Sequence, residues 1–133
     1  MSRTWTRKPR ARLWFGGPSV RTTVAVDDDA RVLGTASMSP NRPGPGSHVA
    51  SASFMVDNGA SGQGVGRALA EEAIAWARSN GYRAMQFNVV VETNFRAVAL
   101  WCSLGFEIIG TVPEAFDSRQ HGLVGLHVMY RKL

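Results

Sequence analysis

The stretch GASGQGVGRALAEEAIAWARSNG, from Gly59 to Gly81, sets three alternating glycines directly before a well-patterned helix. Glycine within regular structure costs roughly 0.5–1 kcal/mol relative to alanine. Such a cluster therefore signals either backbone angles closed to other residues or a ligand that comes close to the main chain. Val65, Leu69, Ala73 and Trp76 recur at helical spacing while Arg67, Glu71 and Arg78 face outward, which predicts a helix from Gly66 to Asn80. Asn80-Gly81 is a sound stop, because glycine accepts the left-handed position past a helix end. Upstream, HVASASFMVDN alternates small or polar residues with apolar ones and reads as a strand ending near Val56.

A strand–loop–helix junction results, with DNGASGQGVG as its loop. The first amides of a helix have no intrahelical partner and sit at the positive end of its dipole. With no Cβ at Gly62, Gly64 or Gly66, these amides can surround a pyrophosphate. On these residues alone a tight turn without ligand remains equally open. Two familiar phosphate motifs fail. A nucleoside-triphosphatase loop needs Lys then Ser or Thr where Arg67-Ala68 stands, and the dinucleotide fingerprint needs Gly-x-Gly-x-x-Gly, not Gly-x-Gly-x-Gly.

Elsewhere, Thr22–Val26 and Arg31–Ser39 form two β-rich runs around a polar DDDA turn, and NRPGPGS is a loop. Ala84–Val91 reads as a strand with Met85, Phe87, Val89 and Val91 on one face and Gln86 and Asn88 on the other. Thr93 or Asn94 caps a second helix, Phe95–Leu104, closed by Gly105. FEIIGTV reads as a strand, PEAFDSRQHG as a loop and LVGLHVMYRKL as a last strand. Strand–helix–strand–helix–strand spacing implies a parallel pair in a mixed sheet, hence an α/β or α+β fold.

At 133 residues one domain is expected. We divide the chain into a basic tail or partial element over 1–19 and a folded domain over 20–133. Of the net charge of +5, all comes from Arg3, Arg7, Lys8, Arg10 and Arg12; the other ten basic residues are matched by ten acidic ones. A near-neutral body speaks against a nucleic-acid partner and reads the tail as solvated. The lone Cys102 and three scattered histidines argue against a disulfide framework or a metal site and suit the reducing cytoplasm. No apolar run approaches the ~20 residues of a membrane span.

SGQGVGRALAEEAIAWARSNG resembles the acyl-CoA-binding segment of the GNAT superfamily, whose motif reads Arg/Gln-x-x-Gly-x-Gly/Ala. NFRAVALWCSLGFEIIGTV is similar to that superfamily's next signature, an Asn, an Ala-rich helix, then an aromatic and Leu-Gly-Phe before a strand. Both occur in the right order, and with their flanking strands they cover roughly residues 22–133. The resemblance implies a mixed, splayed sheet flanked by helices, here with a shortened N-terminal part. It also implies acetyl-CoA as cosubstrate, without a metal. The expected activity moves an acetyl group to a primary amine by direct attack in a ternary complex. FNVVVETN beside the second motif resembles members that acetylate small amino-acid-like amines.

Carried onto this chain, the resemblance places Gln63, Gly64, Val65, Gly66 and Arg67 along the pyrophosphate. Ser61 stands where the family usually has Arg or Gln, followed by Gly62. Phe54, Met55 and Val56 match the strand end whose backbone pairs with pantetheine, and Asn94 matches the Asn that approaches it; a plain helix cap explains Asn94 as well. Many members have, at Trp101, a Tyr that protonates the leaving thiolate. Indole N–H is a donor only, so Trp101 is assigned to a wall beside the thioester. Cys102 is read as a small buried residue, not a nucleophile. Glu92 and His48 are the candidate bases for freeing the amine, and Asn88 the candidate acceptor-binding residue. A homodimer is expected, since Leu13, Trp14 and Phe15 lack an obvious home. The alternative function is a catalytically degenerate acetyl-CoA sensor or interaction domain.

Overall fold

The alternating runs pair into one sheet in a computed structural model that describes residues 10–11, 20–57, 59 and 64–133. Its strands are β1 (Arg10–Ala11), β2 (Arg21–Val26), β3 (Val32–Pro40), β4 (Val49–Val56), β5 (Ala84–Val91), β6 (Glu107–Ser118) and β7 (Gly122–Lys132). They are ordered β1-β2-β3-β4-β5-β7-β6. All neighbours are antiparallel except β4 and β5, which run parallel across the α1 crossover. Helix α1 spans Val65–Ser79 and α2 spans Phe95–Ser103. The architecture is the mixed, splayed sheet with flanking helices expected above. Most of the expected N-terminal tail, with Leu13, Trp14 and Phe15, lies outside the described residues.

Short-range chemistry explains the turns. Asp27 Oδ1 accepts from the amides of Asp29 and Arg31 at 2.9 and 3.0 Å, closing the β2–β3 hairpin as an Asx turn. The apolar stripe of α1 buries Val65, Leu69, Ala70, Ala73, Ile74 and Ala77, and the helix lies on β2, β3 and β4. Small residues on that stripe bring helix and sheet close. A Cβ at Gly34 in β3 would lie 3.1 Å from both Leu69 and Val65 side-chain carbons, so any larger residue would push on the helix side chains by a few tenths of an ångström. Trp76 sits at the rim of this contact, its ring 5.2 Å from Tyr82; burial there raises the Tyr82 phenol pKa.

Two strands depart from the sequence expectation. In β5, Phe87 pairs with Met129 but Val90 pairs with His127, so one extra residue bulges out. The bulge reverses the side-chain phase: Val89 is 67% exposed and Val90 takes the buried place at 6%. Strict alternation cannot anticipate that reversal. The segment Pro113–Ser118, expected as loop, continues β6 against β7. Proline is tolerated there because β6 is an edge strand whose outer side needs no amide donor. Extra residues between Val112 and Phe116, with Glu114 at φ +52°, take up the irregularity.

Leu69 is fully buried between α1 and the sheet. Leu69→Ala is expected to cost about 2–5 kcal/mol of stability through the cavity it leaves. Urea denaturation that shows no loss would contradict this packing.

Candidate active site

The parallel pair at the centre of the sheet stops early. Val49, Ala50 and Ser51 pair with Ala84, Met85 and Gln86, and there the ladder between β4 and β5 ends. Onward to Val56, β4 pairs only with β3 among the described residues, so its other edge faces the gap. Aromatic rings occupy the fork. Phe54 of β4 lies 5.5 Å from Phe87 of β5, and Trp101 of α2 packs 4.9 Å from the first and 4.8 Å from the second. Phe106 stacks behind Phe87 at 4.3 Å. Edge-to-face and offset contacts of this kind add about 0.5–1.5 kcal/mol each beyond burial, which makes the wedge a rigid floor.

Above the floor opens a cleft of about 480 Å³. Its α2 wall is Asn94, Ala97 and Trp101, and its β5 wall includes Asn88. Its β3–β4 wall is hydroxylated: Ser37 pairs across the strands with Ser53, and Ser39 with Ser51. Asn88 is held in an amide chain, accepting from Gln86 Nε2 at 2.9 Å and donating to Asn41 Oδ1 at 2.6 Å. The amide chain fixes its orientation toward the cleft wall.

At the far end of β4 stands the entrance to α1. Gly64 is its cap at φ +80°, a left-handed angle that favours glycine, and among the described residues nothing lies within 4 Å of where a Cβ would point. Among the described residues no side chain caps the entrance, and no acid sits in the first turn. The first internal bond runs from Ala68 N to Gly64 O, which leaves the Val65, Gly66 and Arg67 amides without helix partners. Those donors suit a diphosphate. Arg67 donates to Ser103 Oγ at 2.7 Å, tying α1 to α2 on the same side. Ser61, Gly62 and Gln63 lie outside the described residues.

Of the residues singled out from the sequence, Phe54, Asn88, Asn94 and Trp101 meet in the cleft. Asn94 also caps α2, its Oδ1 accepting from Ala97 N at 3.2 Å, so the plain cap and a place at the cleft coexist. Met55 is 75% exposed on the other face of β4, leaving its backbone to offer contacts at the fork. Neither candidate base lines the cleft. Glu92 bridges to β7, its carboxylate accepting from Gly125 N at 2.5 Å and its own amide donating to Gly125 O at 3.0 Å. His48 is exposed at the start of β4, where its carbonyl accepts from Arg83 N at 2.8 Å, away from the fork. Cys102, expected to be buried, is exposed, because it lies off the face of α2 that carries Trp101. The sequence reading missed Ser37, Ser39, Ser51, Ser53 and Asn41. Serine at every second position in both facing strands was the available signal.

Residues 2–106 match the Acetyltransferase (GNAT) family. A GCN5-related N-acetyltransferase from Kribbella flavida is 68% identical, with a TM-score of 0.85 over 88% of this chain and 70% of that one. A phosphinothricin acetyltransferase from Sinorhizobium meliloti, solved in complex with acetyl-CoA, is 28% identical with a TM-score of 0.76, over 86% of this chain and 61% of that one. N-acetyltransferase aca1 of Schizosaccharomyces pombe is 31% identical over 74% of this chain; the chain spans 47% of that relative. With the fork, the glycine entrance and this match in sequence all agreeing, the chain belongs to the GNAT acetyltransferase family.

Proposed function

We propose that this chain binds acetyl-CoA across the α1 entrance and the β4–β5 fork and acetylates the primary amine of a small molecule held in the cleft. The observation that carries the reading is the fork itself: a strand edge unpaired among the described residues, running toward glycine-flanked amides at a helix entrance. Family membership and an acetyl-CoA complex of a structural neighbour support it. Gly64, Val65, Gly66 and Arg67 hold the diphosphate through main-chain donors, with Ser61, Gly62 and Gln63 completing the loop. The free edge of β4 from Phe54 to Val56 pairs with the pantetheine arm, and Asn94 borders it.

Acetyl-CoA supplies an activated thioester: as the amine takes the acetyl group, a C–N bond forms, the C–S bond breaks and the amine's proton ends on the thiol. The chain's share is positioning. Effective molarities of ~10⁵ M or more are available to well-oriented reactants. Trp101 and the aromatic floor exclude water from the thioester side, while main-chain amides near the end of β4 face the carbonyl oxygen. Before attack the ammonium gives up its extra proton to water at the open mouth of the cleft, because Glu92 is engaged by Gly125 and His48 stands apart. Glu92→Gln is therefore expected to leave the pH profile of kcat/KM in place. A loss on the order of 10²-fold, as removal of a general base gives, would restore Glu92 to that role.

A second reading is favoured by one observation. Among the described lining residues none is ionisable, which also suits a domain that binds acetyl-CoA without turnover. Thiol release with a panel of amines separates the two. For binding itself, calorimetry with acetyl-CoA is the direct measurement. Gly64→Glu sets a carboxylate against the diphosphate and is expected to weaken binding about tenfold or more, since like charges at contact cost several times RT at protein surfaces. Gly64→Asn accepts the left-handed angle and keeps most of the affinity. Equal affinities for all three proteins would remove the entrance from the site.

Proposed also are a cytoplasmic location and a homodimer. Edge strand β6 is exposed for nearly its full length, with Ile109 at 57% and Val112 at 52%. Long apolar edges invite pairing with another chain. Light scattering is expected to give twice the chain mass, and a monomer at micromolar concentration would oppose the dimer.

A further inference from the structure

We infer that the acceptor is a hydroxyl-bearing primary amine with no charged group besides the amine itself, of the amino-alcohol or amino-sugar class, recognised by the serine pairs of β3 and β4. The inference rests on the acetyltransferase reading above and narrows its substrate.

Side chains on the β2–β3–β4 face away from α1 determine what the cleft can hold. On the α1 side, Ala36 and Met38 of β3 stand beside Phe54 and Ala52 of β4 and join the apolar core. On the other side the same strands present Ser37 opposite Ser53 and Ser39 opposite Ser51. Period two thus sorts one pair of strands into an apolar face and a hydroxyl face. The four hydroxyls line the cleft, and no hydrogen bond to any of them is present among the described residues. Each is both donor and acceptor, so together they match a ligand whose groups are also both. Asn88, locked by Asn41, adds an amide on the neighbouring wall.

Charge on the described walls favours this class over the other amines. An amino acid brings a carboxylate, and a phosphinate-bearing amine brings its own anion, yet no Arg or Lys lies among the described lining residues. A polyamine brings further cations, yet no Asp or Glu lines the cleft there either. Moving an unpaired charge out of water costs far more than moving a hydroxyl that finds a partner. A volume of about 480 Å³ accommodates a single sugar-sized body beside the acetyl group.

The test uses the full chain with acetyl-CoA, reading thiol release with glucosamine, ethanolamine, cyclohexylamine, alanine and spermidine. Glucosamine or ethanolamine is expected to give kcat/KM about tenfold or more above alanine and spermidine. In Ser37→Ala/Ser53→Ala, KM for the preferred amine should rise roughly two- to tenfold per lost hydrogen bond. Its kcat, and KM for acetyl-CoA, should stay near the parent values. The preference for glucosamine over cyclohexylamine, which is similar in ring size but lacks hydroxyls, should shrink by the same factor; a merely structural effect would move both amines alike. Alanine or spermidine as the best acceptor overturns the inference, as does an unchanged preference in the double variant. Acetyl-CoA binding by calorimetry with no release from any amine also overturns the acceptor class while leaving the coenzyme site standing. Absence of acetyl-CoA binding removes the acetyltransferase reading beneath it.

Discussion

Three paired residues and then none: the short ladder between β4 and β5 organises everything around it. A parallel pair that continued past Ser51 and Gln86 would satisfy both strand edges and close the sheet. Instead Phe54, Phe87 and Trp101 fill the angle, and ring contacts hold the strands apart. Buried backbone groups without partners are costly, so an unpaired edge persists only where water or a ligand can reach it. The fork therefore couples stability to function. The aromatic wedge that fills the space between the strands is also the floor of the cleft beside them.

The second constraint is the glycine entrance of α1. The helix is held by its apolar stripe against β2, β3 and β4, so its first turn is fixed in space before any ligand arrives. Preorganised donors lose little on binding, which is why a helix terminus serves an anion better than flexible side chains do. Gly64 permits the left-handed angle; the Arg67–Ser103 bond keeps α1 and α2 together beside it. In the function proposed above, helix ends and a strand edge would serve the coenzyme, and a polar sheet face the acceptor.

Much of the architecture was legible in one dimension because local rules govern it. Helical spacing over Val65–Ala77, the cap at Asn94, the Asp27 turn and the alternation of β4 each depend on residues a few positions apart. The bulge in β5 was not legible, since it is set by how β5 meets β7 at Met129 and His127. The extension of β6 through Pro113 was hidden for a related reason: proline breaks an interior strand but not an outer edge, and edge position is a property of the whole sheet. Glu92 illustrates the same gap at the site. Its place before the Asn94 helix made it a reasonable base, and only the approach of Gly125 from β7 showed its carboxylate to be engaged.

The sequence by itself determined most of the elements, their order, the glycine-flanked helix entrance and the two motifs of the GNAT family, because periodicity, capping and loop composition act over short spans of chain. Tertiary structure alone decided where the parallel ladder ends and that four serines from two strands face one cleft. It alone decided also which polar groups are already engaged. Those features arise from contacts between residues far apart in the chain, and such contacts exist only once the strands have chosen their neighbours.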